Sequence, residues 1–294
     1  MRGWDTSDIP DQSGRTFIVT GANSGLGAST TRALIAAGAR VIMACRDEVK
    51  ARAVANAVGE GAVVRRLDLA DLGSVREFAD SIERADVLIN NAGVMAVPLR
   101  RTADGFEMQF GTNHLGHFAL TGLLLDKIAD RVVTVASGAH VIGKIDLADP
   151  NWERRRYDRW QAYGQAKLAN LMFAYELQRR LSAAGATKIS VAAHPGYAAT
   201  ELQSHTESFL DVVMRVGNRL LAQSAEMGAL GALYAATAPE VEPGGYYGPT
   251  RWRGLRGRPA RCGSSAASRD EVTARRLWEL SEQLTKVTYP FARR

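Results

Sequence analysis

Short apolar runs alternate along the chain with Ala-rich stretches whose apolar residues recur at helical spacing. The runs at 16–20, 40–44, 62–67, 86–90, 131–136 and 188–193 read as strands. The stretches at 28–37, 48–58, 72–82, 105–128 and 160–181 read as helices, with Gly38 and Gly59 as stop signals. A last strand is expected at Gly244-Gly245-Tyr246-Tyr247. A closing helix is expected over 270–285, with Val272, Leu277, Trp278 and Leu280 inward. Strands apolar on both faces are buried on both sides, and strand–helix alternation at this spacing implies right-handed βαβ units. The expected fold class is therefore α/β, a doubly wound parallel sheet in three layers. With no repeat or linker signal, residues 1–294 read as a single domain.

Composition narrows the functional classes. Hydrophobic residues are 46% and charged residues 23%, ordinary for a soluble globular protein. The net charge of +6 hints at a polyanionic partner. The excess is local, however. Arg251, Arg253, Arg256, Arg258 and Arg261 lie in a stretch without an acid, and the remainder is close to neutral. Nucleic acid is therefore not an expected partner. With Gly254, Gly257 and Pro259, the segment 251–269 reads as a loop. Solubilising surface is its default role; gripping an anionic substrate group and touching another subunit are the alternatives.

Cys45 and Cys262 read as free thiols, which suits a reducing, cytoplasmic location. No secretory signal is visible. The longest stretch without Asp, Glu, Lys or Arg, 108–125, holds Gln109, Thr112, Asn113, His114, His117 and Thr121, too polar for a membrane span. His114, His117, His140 and His194 do not form a metal-ligand pattern, and no metal is expected.

The first strand runs into Gly21-Ala22-Asn23-Ser24-Gly25-Leu26-Gly27, which opens the first helix. Glycines permit a sharp turn and close approach to a pyrophosphate, and a helix N-terminus offers N–H groups and positive dipole. The spacing G-x-x-x-G-x-G resembles the short-chain dehydrogenase/reductase family. Four further landmarks follow in that family's order: Asp68-Leu69, Asn90-Asn91-Ala92-Gly93, Tyr163 with Lys167, and Pro195-Gly196. The resemblance covers about residues 14–200. Cys45-Arg46-Asp47, the run at 112–118 and the run at 195–202 look most like the retinol-dehydrogenase-like branch, which includes protochlorophyllide reductases and bacterial oxidoreductases. A bacterial-type relative without a membrane anchor is expected.

The resemblance implies a Rossmann-type fold and a nicotinamide cofactor. A carboxylate after the second strand suits the ribose 2′-OH of NAD, and an Arg suits the 2′-phosphate of NADP. Arg46 stands there with Asp47 beside it, so NADP is favoured over NAD. Asn23 and Ser24 would add hydrogen bonds to the phosphate. Asp68 would hold the adenine amino group, Leu69 would offer a backbone contact, and Thr200 would contact the nicotinamide amide or the pyrophosphate.

Tyr163 and Lys167 are one helical turn apart and share a face. A nearby cation favours the phenolate and lowers the phenol pKa, and an oxidised nicotinamide would act in the same direction. Tyr163 then reads as the acid/base, with Lys167 also holding the nicotinamide ribose. Ser137, after the fifth strand, would bind the substrate oxygen. Asn113 would anchor a water linking Lys167 to solvent, or is a polar group satisfied locally. Tyr157 and Tyr175 lack a Lys four residues on.

The gap between Ser137 and Tyr163 is longer than in common family members. Its residues 141–160 read either as a border of the substrate entrance or as a solvated loop. Residues 200–225 read as an apolar lid, with Phe209 and Met214. The expectation is an oxidoreductase interconverting an alcohol and a carbonyl on a small apolar substrate. Alternatives are a carbon–carbon double-bond reductase and a cofactor-binding scaffold without turnover. Pairing through the two long helices is the family's usual homodimer, although relatives in this branch also occur as monomers.

Overall fold

The computed structural model describes residues 3–196, 224–251 and 254–291. Its strands form where side chains are apolar on both faces. In β1 (Thr16–Thr20), Phe17 and Val19 face one way and Ile18 the other. In β2 (Arg40–Cys45), Val41 and Met43 oppose Ile42. With β3 (Ala62–Arg66), β4 (Ala85–Asn90), β5 (Ile128–Val135), β6 (Ile189–Ala193), β7 (Tyr246–Arg251) and β8 (Arg256–Arg261), they form one sheet ordered β3-β2-β1-β4-β5-β6-β7-β8. β1 to β7 pair in parallel, and β8 joins β7 antiparallel. This is the expected Rossmann-type α/β arrangement. Its strand order reverses between β1 and β4, where the crevice for a ligand opens.

Helices cover both faces. α1 (Gly25–Ala36), α2 (Glu48–Val58) and α7 (Ala225–Thr237) bury Leu34, Ala51 and Leu233 against the Phe17–Val19 side. α3 (Leu72–Asp80), α5 (Gly116–Leu124), α6 (Arg159–Ala183) and α8 (Glu271–Thr285) bury Phe78, Phe118, Leu168 and Trp278 against the Ile18 side. No helix among the described residues is long and apolar enough to cross a membrane.

Several elements depart from expectation. The segment 105–128 is not one regular helix. It starts at the single turn α4 (Met108–Phe110), because the buried Glu107 carboxylate accepts the Gln109 and Phe110 N–H groups at 2.9 and 2.7 Å. Gly111–Leu115 then widens into a π turn, with the Gly116 N–H returning to the Gly111 carbonyl, and Ile128 already belongs to β5. The His117 ring reaches across this turn. One nitrogen, Nδ1, bonds the Asn113 carbonyl and the other, Nε2, lies 2.9 Å from the Thr20 hydroxyl of β1. Side chains inserted into a helical ladder are a recognised cause of such irregularity.

The Arg-rich segment 251–269 is not a loop throughout. Arg256–Arg261 is β8, paired with β7 so that Pro249 faces Pro259. Arg258 pairs with Asp5 at 3.1 Å and Arg261 with Glu242 at 2.6 Å; Arg253 lies outside the described residues. The helix α7 is unanticipated. Its signal is Ser224, which caps it by accepting the Met227 N–H. Of the expected lid, 200–223, with Phe209 and Met214, lies outside the described residues.

The solvated-loop expectation for 141–160 holds for the exposed Glu153, Arg154 and Arg156 but not for Trp152 and Tyr157 that flank them. Trp152 is buried, with the Arg155 guanidinium 3.6 Å above its ring. Tyr157 donates to the Val97 carbonyl and bonds Gln109 and Glu107, so the insertion is packed against residues 97–109.

His114 and His117 are buried, and loss of hydration pushes their pKa values down to about 3 and about 4. The unfolded chain binds protons near the ordinary histidine pKa of 6.5 while the native state does not. Stability therefore falls as pH drops from about 6.5 toward about 4, by about 1.4 kcal/mol per pH unit for each histidine. Urea unfolding across that range should show this slope, and His114→Phe should remove about half of the part due to this pair.

Candidate active site

The crevice is a cleft of about 1250 Å³ along the C-terminal ends of the strands. A pocket for one drug-sized ligand takes roughly 300–1,000 Å³, so the cleft has room for a dinucleotide and a second molecule. Gly21, Asn23, Ser24, Gly25, Leu26 and Gly27 line one end, with Arg46, Asp68 and Leu69. Asn91, Ala92 and Gly93 line the middle. Ser137, Tyr163, Lys167, Pro195 and Gly196 line the far end. Of the predicted site residues, Asn113 alone among those described does not line the cleft, and Thr200 lies outside the described residues.

The near end fits an anionic ligand. Asp47, Asp71 and Asp158 cap α2, α3 and α6 with their carboxylates, whereas Ser24 makes no side-chain cap bond to α1, whose first turn also lacks an acid. The N–H groups and positive dipole end of α1 are thus left for a ligand, as a pyrophosphate requires. The turn leading to them is tight. Gly21 has φ +65°, and a Cβ on Gly27 would lie 2.1 Å from the Gly21 carbonyl oxygen.

Beside it, Arg46 is exposed at the end of β2. The Asp47 carboxylate is committed to the Lys50 N–H at 3.0 Å. Lys50, which sequence reasoning missed, lines the same end of the cleft; its signal is a place one helical turn beyond Arg46.

The middle is tied together by Thr20. Its hydroxyl accepts the Asn91 and Ala92 N–H groups, each at 2.9 Å. Asn113 is satisfied by Val94, whose N–H and carbonyl it bonds at 2.8 Å each. Gly93 fits between them, since a Cβ there would lie 3.0 Å from Asn113 Oδ1 and 3.7 Å from Lys167 Nζ.

At the far end, Ser137 follows β5 and starts a short 3-10 turn, while Tyr163 and Lys167 lie on α6. Two glycines let these pieces meet. A Cβ on Gly143 would lie 2.2 Å from the Gly164 carbonyl oxygen, so the chain after Ser137 rests on the turn that carries Tyr163. The Ser137 hydroxyl lies near enough to the Tyr163 phenol to favour its ionised form. Lys167 Nζ donates to the Val135 carbonyl at 3.0 Å.

The electrostatics differ from expectation. Burial pushes the Tyr163 phenol up to about 12, opposed by the Ser137 hydroxyl, and brings Lys167 down to about 8. The expected lowering of the phenol by Lys167 is therefore outweighed in the protein alone, because desolvation disfavours both charged forms. Tyr246, expected only as part of a last strand, also lines the cleft, as do Trp160 at the end of the possible entrance border 141–160 and His194, one of the histidines read as structural or pocket residues. His194 carries a signal in directly preceding Pro195-Gly196.

The profile of the family described as "short chain dehydrogenase" matches residues 15–210. The chain belongs to that family. Human retinol dehydrogenase 13 is 43% identical over 95% of this chain and 87% of its own length. Human retinol dehydrogenase 12 is 40% identical over 94% and 88%. A crystal structure of an uncharacterized protein from Mycobacterium Paratuberculosis is 51% identical, covers 98% of this chain and 100% of its own, and superposes with a TM-score of 0.87. The protein is an NAD(P)-dependent short-chain oxidoreductase acting on CH–OH groups, of the retinol-dehydrogenase-like branch.

In this dehydrogenase the Gly27 contact makes a direct prediction. Gly27→Ala should weaken NAD(P)H binding at least tenfold, because the turn must open by more than an ångström. Fluorescence titration of the reduced nicotinamide measures it, and unchanged affinity would refute the role of the turn.

Proposed function

We propose that this enzyme uses NADP(H) to interconvert an alcohol and a carbonyl on an apolar substrate, with Tyr163 as the proton donor and acceptor. The observation that carries this reading is the Tyr163–Ser137 hydroxyl pair at the far end of the cleft. The nicotinamide, when bound, supplies or takes the hydride. Ser137 hydrogen-bonds the substrate oxygen, and Tyr163 passes a proton to it in reduction or removes one in oxidation. The phenol, held neutral by burial, is ready as a proton donor. Lys167 holds the nicotinamide ribose. Asn113 acts at one remove, by fixing Val94 beside Gly93 and Lys167.

Arg46 and Lys50 support NADP over NAD. Two cations border the adenosine end beside one acid, Asp47, one of whose oxygens accepts the Lys50 N–H. Asp68 and Leu69 border the adenine position, with the Asp68 carboxylate taken on one oxygen by the Ala70 N–H. An apolar substrate is supported by Val141, Trp160 and Leu255, exposed apolar residues that line the cleft. The relatives' names point the same way, since retinol is an apolar alcohol.

A panel of long-chain aldehydes, ketones and steroids with NADPH tests the activity. Tyr163→Phe should lower kcat by about 10²–10⁴ while NADPH still binds; unchanged turnover would remove Tyr163 from the role. Arg46→Ala should raise the NADPH dissociation constant about tenfold and leave that for NADH within about twofold, given typical charge-assisted hydrogen-bond strengths. An equal change for both would reverse the cofactor reading.

A further inference from the structure

One group on the wall of the cleft is used neither by the fold nor by the chemistry proposed above. Tyr246 begins β7, beside Ala192 of β6, and is 3% exposed. It lines the cleft, yet its buried hydroxyl has no hydrogen-bond partner among the described residues. Other buried or half-buried tyrosines are paired: Tyr157 with Val97 and Glu107, Tyr175 with Ser264, and Tyr289 with the Phe118 carbonyl. A buried hydroxyl left unpaired opposes folding, so its presence calls for an explanation.

The neighbours explain why the protein does not satisfy it. The His140 ring lies 5.9 Å from the Tyr246 ring, and both its nitrogens are taken. Nδ1 donates to the Ser137 carbonyl at 2.7 Å, and Nε2 accepts the Ser265 N–H at 3.2 Å. The His194 ring lies 4.9 Å away and accepts the Gly196 N–H at Nδ1, so its proton sits on Nε2, which lies against Gly248 of β7. Neither ring therefore leaves a nitrogen to accept the Tyr246 proton, and the hydroxyl is left as a donor at this corner of the cleft.

The charge state of the corner limits what binds. Burial brings His194 down to about 4 and lowers His140, and it raises Cys262, so all three are neutral at physiological pH. Arg261, the cation on this wall, is paired with Glu242. A neutral acceptor suits such a corner better than a carboxylate or phosphate.

We propose that Tyr246 is a specificity-determining residue. Its hydroxyl donates a hydrogen bond to a second, neutral oxygen on the substrate skeleton, distinct from the oxygen that faces Ser137 and Tyr163. The preferred substrates are then apolar molecules carrying two oxygens, such as hydroxyketones or diketones. This rests on the alcohol–carbonyl reading above and deepens it.

The test compares a ten-carbon methyl ketone with the same chain bearing a second carbonyl one, two or three carbons away, all with NADPH. Wild-type enzyme should show a KM roughly tenfold lower for at least one diketone, the size of one hydrogen bond to a buried partner. Tyr246→Phe should erase that advantage, leave kcat and the methyl-ketone KM within about twofold, and not lower Tm, because an unpaired hydroxyl is removed. A merely structural tyrosine would change both substrates alike. The proposal is overturned if wild type does not favour any diketone, a comparison that needs no variant, or if Tyr246→Phe keeps the preference. Failure of the wild type to reduce the methyl ketone and every diketone would instead remove the alcohol–carbonyl reading, and this proposal with it.

Discussion

The active end of this enzyme depends on holding two diverging strand ends in register, and one hydroxyl does it. β1 and β4 part at the switch point of the sheet, and Thr20 bridges them by accepting two N–H groups from Asn91 and Ala92. Its single proton then has a defined destination. His117 bonds the Asn113 carbonyl through Nδ1, which must be the protonated nitrogen, so Nε2 is the acceptor that faces Thr20. The tautomer is thereby fixed by two partners, and the neutral ring is consistent with its depressed pKa. Through this chain the glycine turn, the floor of the cleft and the π turn carrying Asn113 are one rigid unit. Such a unit preorganises the cleft before any ligand arrives.

Burial does a second job at the far end. It keeps Tyr163 protonated and brings Lys167 down to about 8, so at neutral pH a neutral phenol stands beside a lysine that is still mostly charged. The close approach of Gly143 to Gly164 sets the chain after Ser137 against the turn that carries Tyr163.

What was legible in the sequence was local. The glycine spacing and the four-residue offset of Tyr163 and Lys167 depend on one turn of chain each, and their residues line one cleft in the structure. What escaped depends on distant contacts. The π turn at Gly111–Leu115 is tied to Thr20, far away in sequence. The packing of 141–160 depends on Glu107 and Gln109, themselves buried beneath it. β8 escaped because an edge strand covered on few sides needs no apolar alternation, and Gly254, Gly257 and Pro259 read as turn signals. The phenol pKa escaped because desolvation is a property of the packed site, not of the helix face.

The pairing of Pro249 with Pro259 bears on how copies of this chain avoid one another. Two prolines directly opposite cannot exchange N–H bonds, so their nitrogens point away from each other, and that of Pro259 points to the outer edge of the sheet. The last strand thus lacks a donor where a neighbouring strand would need one. Among the described residues β8 is the edge of the sheet, and Pro259 opposes its extension by the strand of a second molecule.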